Sequence, residues 1–324
     1  MIVAATDAQA RSVLGAMRLV AAPLSATDRA TLQAAYRYVF RGAAELDVDA
    51  LPDVGPSDLA RALPDPDLAQ HAARFLAVMA LVDGAIEPAK IARVEAYAAA
   101  LGVHGDYLRQ LAEAAAGHLQ WVAMDMMRQN VQSIPGLTWK ADDVAAIFLP
   151  YRGARADAAL AQRYEALGAL PTGTFGRAFW AHYRQNGYPF PGAPDGLNEK
   201  FATPHDSTHV LSGYDTSPRG ELLVSTFTAA MHRQAPMAGH ILPVIFSWHL
   251  GIQLNDVAKS AVGAFDPAAF WLAWDRGAAA TVDTFAAAWD FWSVVAEPLA
   301  DLRRAYGMPP LEPGADATLP LLRA

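Results

Sequence analysis

The chain has 324 residues, 53% apolar and 18% charged, which excludes a disordered chain and supplies about two domains at roughly 100–200 residues each. A formal net charge of -8, with no run of basic residues, excludes the counterion-displacing stripe of a nucleic-acid binder. Cysteine is absent, so disulfides, thiolate catalysis, iron–sulfur clusters and cysteine-ligated zinc are excluded too.

The first twenty residues lack a charged segment followed by a clean apolar core, so no secretory signal is expected there. The longest apolar runs, Phe75–Val82 and Ile241–Leu250, fall short of the roughly 20 residues that cross a bilayer. Cytoplasmic residence is the expectation.

Nearly every segment reads as helix, helped by abundant alanine, and no stretch alternates over strand length. Thr27-Asp28 marks the start of a helix through Arg41, with Leu32, Ala35, Tyr36 and Val39 at helical spacing. A proline- and glycine-punctuated stretch from Pro52 to Pro66 holds one short helix. Helices then run over 68–82 and 88–101, joined by the Asp83-Gly84 turn, and a third passes through Tyr107 to about Gly117. Breaks at 133–136 and 150–153 bracket a domain boundary. Further helices are expected over 155–167, 175–184, 205–211, 218–233, 267–276 and 282–306, with a loop at 187–200 and a frayed tail after Pro309. The expected architecture is all-α, in two helical domains, 1–149 and 150–324.

One stretch carries chemistry: His205-Asp206-Ser207-Thr208-His209, followed by Glu221. Histidines at i and i+4 share one helical face, close enough for two imidazoles to hold one cation. Ser217 caps the next helix with Pro218 in its first turn, which puts Glu221 near that helix's N-terminal end. A short antiparallel pair would return its carboxylate to the histidines. Imidazoles with carboxylates suit zinc, and also iron or manganese. A helix with two surface histidines and a solvated glutamate is the competing reading. A zincin protease would need Glu after the first histidine, where this chain has Asp206.

His205-Asp206-x-x-His209-x11-Glu221 resembles the HDxxH-x11-E signature of the COQ4 family of ubiquinone-biosynthesis proteins. The similarity extends upstream to Leu170-Pro171-Thr172-Gly173-Thr174-Phe175-Gly176-Arg177 and downstream to Leu302-Arg303-Arg304-Ala305-Tyr306-Gly307-Met308-Pro309-Pro310. The resemblance implies a helical domain, usually dimeric, with one divalent metal (zinc favoured, iron the alternative) held by His205, Asp206, His209 and Glu221. It further implies a peripheral place on the inner membrane face and binding of a prenylated aromatic lipid or quinone precursor. Partner quinone-biosynthesis enzymes belong to the same implication. The implied activity is metal-dependent decarboxylation, with hydroxylation, at C1 of a prenylated benzoate. Lys200-Phe201-Ala202 stands where the family carries an Arg-Tyr-Arg run. The alternative of a different class is a non-catalytic scaffold that presents isoprenoid lipids to partner enzymes.

In the N-terminal half, Phe75–Ile86 and Ala100-Leu101-Gly102-Val103 resemble the TerB tellurite-resistance family. Lys90 stands where that family's second acid is usual, so no metal is assigned there. Arg177 is a candidate for meeting an anionic substrate group, against a structural ion pair or cap. His182, His240 and His249 read as packed core histidines. Asp206 points about 100° from His205 on a helix, so it either ligates, orients a ligand or acts as a base. Phe285, Trp289 and Trp292 are expected to share one helical face, as core or as the lining of a lipid groove.

Overall fold

The computed structural model describes residues 5–140, 156–254, 260–312 and 315–318. Among these residues the regular structure is helical, and β-pairing is limited to two isolated bridges, Thr174 with Pro298 and Leu250 with Val262. The chain divides into two compact units. One comprises Met1–Met127 with His240–Asp275, the other Arg128–Gly239 with Arg276–Ala324. The 149/150 boundary, the Pro150–Gly153 break and the expected helix start at Arg155 lie outside the described residues.

The first unit contains α1 (Asp7–Ala21), α2 (Ala26–Tyr38), α3 (Pro56–Ala62), α4 (Pro66–Met79), α5 (Pro88–Ala100), α6 (Asp106–Ala115) and the start of α7 (Leu119–Ser133). Helix α2 begins at Ala26, one residue before Thr27, and ends at Tyr38, short of the expected Arg41. Ser25 Oγ accepts from the Asp28 amide at 3.1 Å while Asp28 Oδ2 accepts from the Ser25 amide at 2.7 Å, a reciprocal capping box. Gly84 turns the chain between α4 and α5 with φ of +85°.

Residues 240–275 join this unit, which a contiguous split of the chain does not provide for. Trp271 is fully buried with its ring edge-on to Phe75 at 5.0 Å, and Trp274 meets Phe75 at 5.7 Å. His249 Nε2–H donates to the Val82 carbonyl at 3.0 Å. These contacts bury large aromatic area across distant sequence, and no local pattern reveals them.

Lys90, 3% exposed, is held by the Asp83 carboxylate and by Glu87 Oε1 at 3.2 Å. The ammonium fills the acidic pocket between α4 and α5. Lys90→Met keeps the volume but strands Asp83, whose side chain is 16% exposed. The loss should be about 3 kcal/mol in urea denaturation, at the low end for a broken buried pair. A midpoint within error of the parent would show that the pair is energetically idle.

The second unit contains α8 (Ala158–Glu165), a 3-10 turn (Ala166–Ala169), α9 (Phe175–Asn186), α10 (Glu199–Ser212), α11 (Pro218–Met231), α14 (Phe291–Val294) and α15 (Leu299–Ala305). Between α11 and α14 run a π-helical turn (Pro236–Ile241), α12 (Leu242–Trp248) and α13 (Pro267–Ala279). Its aromatic core places Phe291 4.8 Å from Phe179 and 5.6 Å from Phe175, with Trp292 4.8 Å from Tyr164.

The single helix expected over 282–306 is broken. Asp283 Oδ1 accepts from the Phe285 amide at 2.9 Å and Asp290 Oδ1 from the Trp292 amide at 2.9 Å. Such aspartate turns compete with the helix ladder, and Pro298 precedes α15. Phe285, Trp289 and Trp292 therefore share no continuous helical face. Nor is the segment after Pro309 frayed throughout, because Asp316 and Thr318 are 4% and 2% exposed.

Candidate metal centre

Helix α10 carries the two histidines. It starts at Glu199, with the Asn198 side chain accepting from the Lys200 amide at 2.9 Å, and continues through Pro204. The start expected at His205 is therefore early in the structure by nearly two turns. A proline inside a helix removes one backbone bond but does not end the helix when flanking turns are well packed, and Ala202 to Ser212 are almost all buried.

The C-terminal end of α10 is anchored by two buried arginines. Arg303 Nη2 donates to the Val210 carbonyl at 2.9 Å and its Nε to that of Leu211 at 2.9 Å. Arg276 Nη2 donates to the Ser212 carbonyl at 2.7 Å. These carbonyls have no helical partner of their own, and a cation at the negative end of the helix dipole is doubly favourable.

Ser217 caps α11 as expected, its Oγ accepting from the Gly220 amide at 3.1 Å, with Pro218 in the first turn. A side chain at position 220 would meet the Asp215 carbonyl at 2.1 Å, so only glycine lets the 215–217 turn close on the helix. That closure returns Glu221 to α10.

His205 Nε2 and His209 Nε2 stand 3.2 Å apart. Glu221 Oε2 is 3.4 Å from the first and its Oε1 3.5 Å from the second. Donors about 2.0–2.1 Å from one tetrahedral zinc ion stand roughly 3.3–3.4 Å from each other. The imidazole pair lies near that edge, and Glu221 meets each imidazole through a different oxygen, as a carboxylate holding one divalent cation through both oxygens would, so the residues are compatible with such an ion. His209 Nδ1–H donates to the Tyr214 carbonyl at 3.0 Å, which turns Nε2 and its lone pair toward the cluster.

Asp206 is buried beside them, and one ligand atom each from His205, Asp206 and His209 lies within 4.8 Å of the others. Its Oδ2 accepts from the Tyr183 hydroxyl on α9. Arg177 is not part of the cluster. Its guanidinium donates to the Gly168 carbonyl and lies 4.5 Å over the Trp180 ring. The sequence also gave no notice of Tyr183 or of the Tyr214 carbonyl as supports. A surface cleft of about 430 Å³, lined by Asp157, Leu160, Arg163, Tyr164, Glu199, Thr203 and Trp292, contains none of the four candidate ligands.

The charges in the cluster are coupled. Burial resists protonation of His209, but the Glu221 carboxylate beside it outweighs that and lifts it to about 9. Packing alone would raise Glu221, yet His209 and His205 hold it well below the usual carboxylate range. Asp206 is raised by burial. In the metal-free protein at pH 7.5, His209 is therefore an imidazolium, and a cation must displace its proton. Zinc uptake at that pH should release about one proton per ion, measured calorimetrically in buffers of different ionisation enthalpy, and the release should fade above pH 9. Zinc binding with no proton release would show that His209 stays outside the ligand set.

No protein-family model, curated protein or solved structure matches this chain, so the geometry of the His205–His209–Glu221 cluster is the finding on which any functional reading of it rests.

Proposed function

We propose that this protein is a metal-dependent enzyme that removes the C1 carboxylate of a prenylated benzoate-type quinone precursor, with hydroxylation at that carbon. The metal dependence is carried by the 3.2, 3.4 and 3.5 Å separations among His205, His209 and Glu221. The substrate class comes from the COQ4 resemblance. His205, His209 and Glu221 would hold the cation, with Asp206 as a further ligand or orienting group. Bound there, zinc or iron supplies a Lewis acid that stabilises negative charge on a substrate oxygen.

The chain's own groups do the rest. Tyr214 fixes the His209 ring, and Tyr183 fixes the Asp206 carboxyl. Asp206, raised by burial, is the base placed to take the phenolic proton of the substrate at a carboxylate oxygen. Replacing the carboxylate by hydroxyl withdraws two electrons from the substrate. The step balances with water supplying the hydroxyl oxygen and dioxygen taking the two electrons and two protons as hydrogen peroxide while carbon dioxide leaves. Of the two favoured metals only iron exchanges electrons with dioxygen. A homodimer, partner quinone-biosynthesis enzymes and a peripheral place on the inner membrane face belong to the same proposal. Among the described residues, no helix is long and apolar enough to cross a membrane.

The test is elemental analysis of the purified protein, followed by incubation of the zinc- and iron-loaded forms with a carboxyl-labelled prenylated hydroxybenzoate under air. Release of labelled carbon dioxide by one loaded form supports the reading. Binding of the lipid without release by either form would leave a carrier in place of an enzyme.

A further inference from the structure

The cluster opens to solvent at His205 and Glu221, each about one-fifth exposed, while His209 is buried. Phe201, one turn earlier on α10, covers a face of the His205 ring, with centroids 5.5 Å apart and planes within 11°. The approach to a cation held there therefore runs beside Glu221.

The chain delivers an aromatic ring to that side. Helix α9 ends at Gly187 (φ +66°), and the Tyr188 amide donates back to the Tyr183 carbonyl at 3.0 Å, a six-to-one closure. The closure folds Tyr188 onto the last turn of α9, its ring 6.1 Å from those of His182 and Tyr183 and steeply tilted to both, at 70° and 88°. Thr216 Oγ1–H donates to Asn186 Oδ1 at 2.9 Å, which ties this end of α9 to the 215–217 turn that returns Glu221. Burial raises the Tyr188 phenol, and the Glu221 and Asp206 carboxylates add to the rise, so the ring stands in the field of both acids. Tyr188 is nonetheless 40% exposed. One backbone bond and two ring contacts hold it in place without covering it, so a molecule lying against it gives up little side-chain freedom on the protein's part.

We infer that Tyr188 is the substrate-positioning residue of this centre, the wall against which the ring of an aromatic acid lies while the cation holds an oxygen of that acid. The inference rests on the function proposed above and adds what orients the substrate. A cation alone fixes one atom and leaves a flat molecule free to turn about it. An aromatic wall removes that freedom, and offset or edge-on ring contact adds a modest attraction.

The test loads the full chain, 13C-labelled at its tyrosine rings, with zinc and adds a prenylated hydroxybenzoate. Nuclear Overhauser contacts are expected between the benzoate ring protons and the Tyr188 ring, whose signals are assigned by their absence from Tyr188→Phe. In equilibrium dialysis Tyr188→Phe should hold the benzoate as the parent does, and Tyr188→Leu about 2- to 10-fold more weakly, the share of one aromatic pair. Zinc affinity in chelator competition should stay parental in both. The parent spectrum decides the matter even if the leucine variant fails to fold. Bound benzoate without contact to Tyr188, or bound equally well by Tyr188→Leu, would overturn the inference and leave the metal-dependent reading standing. Zinc lost from Tyr188→Leu would make the ring a support of the cluster and overturn the inference as well. A parent that retains no zinc, or binds no benzoate once loaded, would overturn the inference together with the proposed function.

Discussion

Glu221→Ala should weaken zinc binding about a hundredfold or more while leaving the fold in place. The effect exceeds the 10- to 100-fold typical of a lost supporting partner, because this carboxylate touches both imidazoles, at 3.4 and 3.5 Å. It also supplies the negative charge that lets neutral histidines and a dication coexist in a packed interior. Its own side chain is about one-fifth exposed, so truncation opens no sealed cavity. It does remove the partner of the raised, buried His209, and the metal-free protein at pH 7.5 should stay folded with a lowered unfolding temperature. A second signature separates ligand loss from general damage. Without Glu221 the main influence that lifts His209 to about 9 is gone, so His209 is largely neutral at pH 7.5 and proton release on residual zinc uptake falls toward zero. Glu221→Gln should behave the same way, since the amide keeps the shape and loses the charge. Parental zinc affinity in either variant would remove Glu221 from the centre, and with it the geometric basis of the proposed chemistry.

What the sequence disclosed about the site follows from local geometry. The i, i+4 relation of His205 and His209 needs only a helix, and the Ser217-Pro218 start needs only cap chemistry, so both were readable. The support of the site was not, because it is tertiary. His182 and Tyr183 reach Asp206 from α9, across more than twenty positions with no spacing rule to relate them. Their neighbour Arg177, chosen for its charge, turns instead to the Gly168 carbonyl. The all-helical class was likewise legible from periodicity and composition, whereas helix ends yielded to side-chain competition. Pro204 sits inside a helix that buried contacts sustain. Asp283 and Asp290 break a stretch whose apolar spacing alone reads as continuous. Asp83-Gly84 could be placed as a turn from the glycine, but its carboxylate's partner, Lys90, emerged only when α4 and α5 were packed.

Arg303→Met should destabilise the second unit by about 3–5 kcal/mol, the range for breaking a buried charge pair. Arg303 is 5% exposed and Asp316 4%. The guanidinium binds Asp316 Oδ2 at 2.8 Å, Thr318 Oγ1 at 2.7 Å and the carbonyls of Val210 and Leu211, each at 2.9 Å. Truncation thus strands a carboxylate and two helix-terminal carbonyls at once. Lysine is no remedy, since one ammonium cannot span four acceptors in a planar fork, so Arg303→Lys should recover less than half of the loss. The double variant Arg303→Met, Asp316→Leu removes the stranded charge and should recover more than the lysine does, as apolar replacement of both partners often does. Because Val210 follows His209 directly in α10, the single methionine variant should also weaken zinc binding, whereas a variant at an exposed arginine such as Arg304 should not. Denaturation midpoints and chelator competition on the four variants measure both effects. If Arg303→Met unfolds easily yet binds zinc as the parent does, the arginine anchor serves the fold alone and the histidine face of α10 is held by its contacts with α9 and α11.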